Sequence, residues 1–386
     1  MKAKRIGSLL MAAAMLTAAA SGCAAGSKVE KVLKIGGIGP TTGNNAQYGE
    51  AVRNGAQIAV DEINKAGGIA GMQIEFKFSD DESDNEKAVN AYNTLKDWGM
   101  NLLMGTVTSN PCIAVAEKTK EDNMFQLTPS GTAADCVKYD NAFRVCFSDP
   151  NQGKQAAKYI ADHKLATKIA VIYDSSDPYS TGIFENFNSE SKNVGLNIVE
   201  TQAFTKDNKT DFSVQLQKAK DSGADMIFLP IYYSEASQIL KQAKSISGFT
   251  PKYFGCDGMD GILGMENFDA SLAQNLMFMT PFDANASDDK TQNFVSSYKA
   301  QYNGGTPNQF AADAYDAIYI IKAACEKAGL KDGMSNSDLC DAMKKAMTEI
   351  KVTGVTGTDM VWSADGEPNK EPRVVQIKDG AYTSVA

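Results

Sequence analysis

The feature that most constrains the fold is an alternation of strand-like and helix-like segments that runs through the chain twice. In the first half, the apolar run "KVLKIGGI" precedes a helical stretch from about Tyr48 to Lys65, and "MQIEFKF" and "NLLMG" precede further helical stretches. In the second half, "KIAVIYD", "GLNIVETQAF" and "ADMIFLP" repeat the scheme. Such alternation is typical of doubly wound parallel sheets, so we predict an α/β protein with two of them.

The N-terminus predicts export from the cytoplasm. Three basic residues among the first five precede the apolar run Ile6–Ala20, which is too short to span a bilayer comfortably, and small residues then lead to Cys23. This order resembles a lipoprotein signal peptide. We predict that residues 1–22 are removed, that Cys23 is acylated and anchors the chain to the outer face of the cytoplasmic membrane, and that residues 23–31 form a tether. An ordinary signal peptide, cleaved nearby, is the alternative.

Charge and length narrow the class of protein further. The chain has 386 residues and a net charge of −9, and removal of the three positive charges in residues 1–22 makes the remaining chain more acidic still. An acidic chain without a basic patch is a poor partner for nucleic acid, whose phosphates require Lys and Arg. The length indicates about two domains.

The cysteines leave the question of disulfides open. Apart from Cys23 the chain has six, and no CxxC motif occurs. Cys112, Cys136 and Cys146 lie close enough in sequence for one pair to form among them in an oxidising compartment. The sequence does not choose the partners.

The segments that follow the predicted strands share an unusual composition. They are rich in hydroxyls, glycine and tyrosine and almost free of Lys and Arg: "GPTTGNNAQYG", "GTVTSNP", "TPSGTA", "DSSDPYS", "PIYYSEA" and "GCDGMDG". Ligands of α/β proteins bind beyond the carboxyl ends of the parallel strands, where these segments lie. Neutral donors and helix N-termini suit a small polar ligand and do not suit a polyphosphate.

Several of these segments carry a family resemblance. The run "IGGIGPTTGNNAQYGEAVRNGAQIAVDEINKAGGIAG" closely resembles the opening of the solute-binding proteins of branched-chain amino-acid ABC transporters, and "LTPSGTA", "AFRVCFSDPNQG", "YYSEASQILKQA", "FAADAYDAIYIIKAA" and "VTGVTG" agree in order. The resemblance extends from about Val32 to the C-terminus. It implies the type I periplasmic binding protein fold, in which two α/β lobes joined by three crossovers close on a ligand like a hinged trap.

The resemblance also implies where the chain passes between the lobes. The crossovers are expected near Phe147–Asp149, Thr280–Asp283 and Val352–Thr356. We therefore predict that lobe 1 comprises residues 32–147 and 282–352, and that lobe 2 comprises residues 148–281 and 353–386.

An α-amino acid is a zwitterion, so a selective site needs anion donors on one side and a carboxylate on the other. The resemblance places the carboxylate-binding serine of the family at Ser109, before a predicted helix, and the second carboxylate-binding turn at Ser130, Gly131 and Thr132. It places the acid for the ammonium at Asp257. Asp260 is the competing carboxylate, and helix capping or an ordinary turn is the structural alternative for each of these residues.

Aromatic residues are expected to wall the pocket. The resemblance assigns this role to Tyr48, Tyr179, Tyr232 and Phe310, and Tyr233 competes with Tyr232 because a shift of one residue would exchange them. Core packing is the alternative for any single aromatic side chain, and we assign Tyr315 and Tyr319 to the core.

These observations predict a monomeric solute-binding protein that delivers an amino acid to an ABC permease without a cofactor or a metal. A ligand sensor that presents its closed form to a receptor uses the same pocket and remains the alternative. Leucine, isoleucine and valine are the usual ligands of the family, but its members also take aromatic or polar amino acids and amides.

Enzyme readings find little support. The run "GIGPTTG" resembles the glycine-rich loop of nicotinamide oxidoreductases, and Asp80 and Asp81 after the next strand imitate the acid that binds the ribose. However, three residues separate the last two glycines, whereas the dinucleotide-binding motif has two. The only histidine, His163, is predicted at a helix end.

We expect Gly36, Gly37 and Gly39 to leave room for the opposing lobe, Gly43 to allow the turn, and Tyr48 to touch the ligand.

Overall fold

The structure is a computed structural model that describes residues 31–385. The predicted signal peptide and Cys23 lie outside the described residues. The described chain forms two separate sheets flanked by helices, one of five strands and one of seven. The prediction of an α/β protein with two parallel-sheet lobes is confirmed.

The first sheet contains only parallel pairs, in the order β2-β1-β3-β4-β5. Its central strands are buried on both faces, which explains their continuous apolar runs. Its strands and the helices between them are β1 (Val32–Gly39), α1 (Ala46–Lys65), β2 (Gln73–Asp80), α2 (Asn85–Asp97), β3 (Leu102–Gly105), α3 (Ser109–Glu121), β4 (Gln126–Thr128) and β5 (Ala142–Arg144).

The second sheet has the order β12-β11-β10-β9-β8-β6-β7. Strands β6 to β10 pair in parallel, and the last two strands form an antiparallel hairpin on β10. Its elements are α4 (Asp149–Asp162), β6 (Ile169–Asp174), α5 (Pro178–Val194), β7 (Ile198–Phe204), α6 (Ser213–Asp221), β8 (Met226–Leu229), α7 (Tyr233–Ala243), β9 (Lys252–Gly255), β10 (Met277–Thr280), β11 (Arg373–Lys378) and β12 (Ala381–Ser384).

Three helices after β10 return to the first sheet. They are α8 (Asp289–Gln301), α9 (Gln309–Lys327) and α10 (Asn336–Met347). Helix α9 is buried along most of its length and packs against α1, β3 and β4. The two helices meet closely at Gly55, where a Cβ atom would stand 1.9 Å from the carbonyl oxygen of Ala311. Tyr315 and Tyr319 pack in this region, as predicted.

The third connection between the sheets lies later in the chain than we predicted. Residues 353–370 bond to the first lobe: the Asp316 carboxylate accepts hydrogen bonds from the backbone N–H groups of Val355 and Thr356, each at 2.8 Å. Lys370 donates to the carbonyl oxygen of Val145 at 3.0 Å. The chain joins the second sheet only at Arg373, where β11 begins, and near that end the Asn151 side chain of α4 donates to the carbonyl oxygen of Lys370 at 3.3 Å.

The turn after β1 is filled by a carboxylate of the chain itself. Asp80 accepts a hydrogen bond from the N–H of Thr41 at 2.8 Å and another from the hydroxyl of Thr42 at 2.5 Å. Gly43 has a φ of +80°, which the turn requires and which glycine adopts without strain. The acid that imitates a ribose-binding residue therefore holds the turn, and the N–H of Thr41 is already occupied by an anion.

The expected role of the β1 glycines is wrong. A Cβ atom at Gly36 would stand 2.6 Å from the sulfur of Met100, one at Gly37 would stand 2.4 Å from the ring of Phe78, and one at Gly39 would stand 2.3 Å from Val107. All of these neighbours belong to the first lobe. The glycines therefore leave space for side chains of their own lobe to pack on the central strand. They do not leave space for the opposing lobe.

Candidate functional site

A very small cavity of about 10 Å³ lies where the carboxyl ends of the two sheets face each other. Eight of the nine predicted ligand-binding residues line it, and they come from both lobes. The lining residues are Tyr48, Val107, Thr108, Ser109, Ser130, Thr132, Tyr179, Tyr232, Asp257, Gly258 and Phe310. This space holds about one water molecule, so a larger ligand enters only when the lobes move apart.

The lobe 1 side of the cavity is built on the start of α3. Thr108 is the N-cap residue and Ser109 the first residue of this helix, one residue earlier than predicted. The Ser109 hydroxyl accepts a hydrogen bond from the N–H of Ala133 at 3.2 Å, and the Ser130 hydroxyl donates to the carbonyl oxygen of Val107 at 2.8 Å. Because unpaired N–H groups and the helix dipole give a helix N-terminus positive character, this side favours an anion.

Gly131 is the one predicted residue that does not line the cavity. Its N–H donates to the Thr128 hydroxyl at 2.8 Å, and its carbonyl oxygen accepts from the Arg144 side chain at 2.9 Å. Its Cα faces two cysteine sulfur atoms, those of Cys112 and Cys136, which would lie 2.9 and 3.1 Å from an added Cβ. Both polar groups of Gly131 are thus occupied inside the protein, which corrects the expectation of direct ligand contact.

The lobe 2 side of the cavity is built around Asp257. This residue follows β9 in a short 3₁₀ turn, and only 3% of its surface is exposed. Its carboxylate accepts a hydrogen bond from the Tyr179 hydroxyl at 2.8 Å, and its N–H donates to the Gln152 side chain at 3.0 Å. Burial raises the pKa of Asp257 to about 6, because the charged carboxylate loses water that a cation would replace.

The competing carboxylate has a different task. Asp260 does not line the cavity, and its carboxylate accepts a hydrogen bond from the N–H of Gln309 at 2.8 Å. Gln309 is the first residue of α9, so Asp260 stabilises the positive end of that helix. Between the two acids, the geometry brings Asp257 to the cavity.

The aromatic residues form two facing groups. The rings of Tyr48 and Phe310 lie 4.2 Å apart on the lobe 1 side, and those of Tyr179 and Tyr232 stack at 4.6 Å on the lobe 2 side. Tyr232 is the N-cap residue of α7 and lines the cavity, whereas Tyr233 begins the helix and does not. The structure thus distinguishes the two neighbours that the sequence left open.

Two hydrogen bonds join the lobes beside the cavity through one hydroxyl. The Tyr48 hydroxyl donates to the carbonyl oxygen of Gly258 at 2.5 Å and accepts from the N–H of Tyr233 at 3.2 Å. Tyr48 is completely buried. The cavity is therefore bounded by contacts between the lobes as well as by each lobe alone.

Comparison with known proteins agrees with this architecture. A family model described as periplasmic binding protein matches residues 32–381. The chain belongs to this family. Within it, the chain is a solute-binding protein of the branched-chain amino-acid ABC transporter type. The family consists of transporter substrate-binding proteins rather than enzymes, and its members act outside the cytoplasm.

Three relatives illustrate the similarity. The Leu/Ile/Val-binding protein homolog 3 of Brucella melitensis is 29% identical over 87% of this chain and 88% of its own. The leucine-, isoleucine-, valine-, threonine- and alanine-binding protein of Pseudomonas aeruginosa is 29% identical over 81% of this chain and 83% of its own. The substrate-binding protein LivJ of Streptococcus pneumoniae, solved in complex with isoleucine, is 30% identical, covers 92% of this chain and 98% of its own, and has a TM-score of 0.82.

Some residues at this binding protein's cavity were not singled out from the sequence. Three of them, Val107, Thr108 and Gly258, line the cavity. Each belongs to one of the segments after a strand that are rich in hydroxyls, glycine and tyrosine. Asp149 and Gln152 lie behind it on α4, and both are completely buried. Neither carboxylate oxygen of Asp149 has a hydrogen-bond partner among residues 31–385, and burial raises its pKa well above the usual value.

Neither a metal centre nor a membrane span is found in the part of the chain that the structure describes. Residues 31–385 contain no group of three or more His, Cys, Asp or Glu side chains arranged to hold a metal ion. None of the helices in the same range is both long enough and apolar enough to cross a bilayer. Asp84, in the acidic stretch 79–86 that leads into α2, caps that helix by accepting a hydrogen bond from the N–H of Lys87.

Proposed function

We propose that this binding protein captures a branched-chain amino acid between its two lobes and delivers it to an ABC permease. The observation that carries the proposal is the arrangement of opposite polarities around one small cavity. The start of α3 with Ser109 lies on one side, and Asp257 lies on the other. An α-amino acid carries a carboxylate and an ammonium on the same carbon, so its headgroup matches both sides at once. The substrates named for the relatives support the branched-chain class.

Each lobe offers half of the site. Lobe 1 contributes Tyr48, Ser109, Ser130, Thr132 and Phe310, whereas lobe 2 contributes Tyr179, Tyr232 and Asp257. A ligand that contacts both halves favours the closed arrangement, because it binds that state more tightly than the open one. The closed shape is then the form that a permease recognises.

The remaining parts of the proposal concern the location and state of the protein. It is a lipoprotein anchored through Cys23 to the outer face of the cytoplasmic membrane, it acts as a monomer, and it catalyses no reaction. The basic residues, the short apolar run and the small residues before Cys23 support the anchor. Radiolabelled palmitate should enter the wild-type protein and not C23S, and equal labelling would contradict acylation at this residue.

Calorimetry with leucine, isoleucine and valine tests the ligand class. A ligand at a hundredfold excess over its Kd should stabilise the protein by about 2.7 kcal/mol. Two truncated analogues of leucine serve as controls: 4-methylpentanoate lacks the ammonium and isopentylamine lacks the carboxylate. Neither analogue should bind measurably, because each leaves one side of the site without its partner. Absence of a response to every α-amino acid would refute the proposal.

Transport and sensing can be separated in cells. Deletion of the gene should abolish uptake of the labelled amino acid, and a C23S protein that is released from the membrane should restore it only in part. Intact uptake together with a lost response to the amino acid would favour the sensor function instead.

A further inference from the structure

Arg144 lies behind the turn formed by residues 130–134, which supplies Ser130 and Thr132 to the cavity. The arginine is the last residue of β5, and its side chain is completely buried. Its guanidinium donates hydrogen bonds to three carbonyl oxygens of the turn: Gly131 at 2.9 Å, Ala133 at 3.0 Å and Ala134 at 3.4 Å. One side chain thus bonds to three carbonyl groups of this turn.

The geometry of the peptide bond shows how these hydrogen bonds orient the N–H of Thr132. In a trans peptide, the C=O and the N–H of the next residue point in opposite directions. Because the Gly131 carbonyl points to Arg144, the N–H of Thr132 points away from Arg144. The hydrogen bonds among residues 31–385 include none donated by this N–H, although Thr132 is 99% buried and lines the cavity. A buried donor without a protein partner is a place for a ligand acceptor.

Arg144 also carries a charge that is only partly compensated. Among residues 31–385 its ion-pair partner is Glu367, at 3.2 Å, and the Glu367 side chain is 32% exposed to solvent. The Nε atom has no hydrogen-bond partner among the described residues. Glu367 lies in the irregular segment that precedes β11, and the same segment binds the Arg144 backbone through the carbonyl of Gly366 and the indole of Trp362.

We propose that Arg144 is a positioning residue for the ligand carboxylate. It fixes the Gly131–Thr132 peptide so that the Thr132 N–H faces the cavity, and its charge makes the turn favourable for an anion. Glu367 moderates that charge from the surface. This inference rests on the proposed amino-acid ligand, whose carboxylate is the group that the turn receives.

The test compares leucine with leucinamide, which keeps the ammonium but has no carboxylate. R144K should raise the Kd for leucine about tenfold, because a single ammonium cannot bond all three carbonyls, and should raise the Kd for leucinamide less, because a neutral amide oxygen is a weaker acceptor for the Thr132 N–H. The matched control is K370M, which removes another buried cation of lobe 1 that bonds to Asp313 and not to the turn. K370M should lower the melting temperature without changing the ratio of the two Kd values.

A second variant tests the charge without disturbing the turn. E367Q keeps the size of a partly exposed side chain, so the fold is retained, and it should tighten leucine binding by about threefold relative to leucinamide. Ratios equal to wild type in both R144K and E367Q would overturn the role of Arg144 while leaving the amino-acid ligand intact. A wild-type protein that binds no amino acid would instead overturn the proposed function, and this inference with it.

Discussion

The hydroxyl of Tyr48 in lobe 1 donates a hydrogen bond to the carbonyl oxygen of Gly258 in lobe 2 at 2.5 Å, directly beside the cavity. Gly258 immediately follows Asp257, so the contact between the lobes and the predicted ammonium site share one turn of the chain. Ligand affinity and lobe closure are therefore expected to respond together to changes at either residue.

Replacement of Tyr48 by phenylalanine tests this link. Y48F removes the hydroxyl that joins the lobes and should weaken amino-acid binding by about 1 kcal/mol, or roughly fivefold, because the closed state loses a buried hydrogen bond. The control is Y302F, since the Tyr302 hydroxyl bonds to the carbonyl of Asn54 at 3.2 Å within lobe 1. Calorimetry should find a larger Kd for Y48F and an unchanged Kd for Y302F. An equal increase in Kd for Y48F and Y302F would show that the Tyr48 hydroxyl has no specific role in lobe closure.

Removal of the Asp257 carboxylate should have a larger effect. D257A is expected to cost about 2–5 kcal/mol of binding free energy, because the ligand ammonium would be buried without its partner. D225N is the matched control, since Asp225 binds Thr167 and Lys168 in lobe 2 away from the cavity. An unchanged Kd for D257A, measured by calorimetry on protein with a normal melting curve, would remove Asp257 from the site.

Binding should also depend on pH through the same residue. Burial raises the pKa of Asp257 to about 6, so below that pH the free protein holds a proton where the ligand needs an anion. Affinity should therefore fall as the pH falls through this value, approaching tenfold per pH unit, and should level off above it. Calorimetry from about pH 5 to pH 8 measures the profile. D257N should flatten the profile, and a wild-type affinity that rises on acidification would contradict the assignment.

The structure also selects a cysteine pair. The sulfur atoms of Cys112 and Cys136 flank the same face of Gly131, whereas Cys146 lies in the crossover segment that follows β5. All three residues are buried, and the structure has them as free thiols. Refolding with oxidised glutathione, which accepts the two electrons, should therefore join Cys112 to Cys136. Peptide mass spectrometry after alkylation measures the pairing, and a disulfide that contains Cys146 would contradict the prediction.

Local patterns were sufficient for the two α/β lobes and for most of the site. The strands of both α/β lobes are marked by apolar runs, and the carboxyl ends of parallel strands must meet at one edge, so residues such as Ser109 and Asp257 could be placed before any contact was known. The resemblance then assigned roles to them. The choice between Tyr232 and Tyr233 depended on where α7 begins, and sequence patterns do not fix a helix end to one residue.

Other features depend on partners that are distant in sequence. The β1 glycines accommodate Phe78, Met100 and Val107, and nothing near the glycines indicates which side chain crosses them. The role of Arg144 could not be predicted from the sequence either, because one of its partners is Glu367, more than two hundred residues away. The third crossover was misplaced because residues 353–370 contain no regular element whose pattern could assign them to a lobe.

The shared contact between Tyr48 and Gly258 has a consequence for the exit of a bound molecule. A molecule held between the lobes departs only after this buried hydrogen bond and its neighbours have broken, so its residence time is set by the rate at which the lobes part. Under the proposed function, strengthening one contact to the amino acid would change the fraction of protein that carries ligand more than the rate at which the ligand is transferred to the permease. The permease, by drawing the lobes apart, would set the pace of delivery.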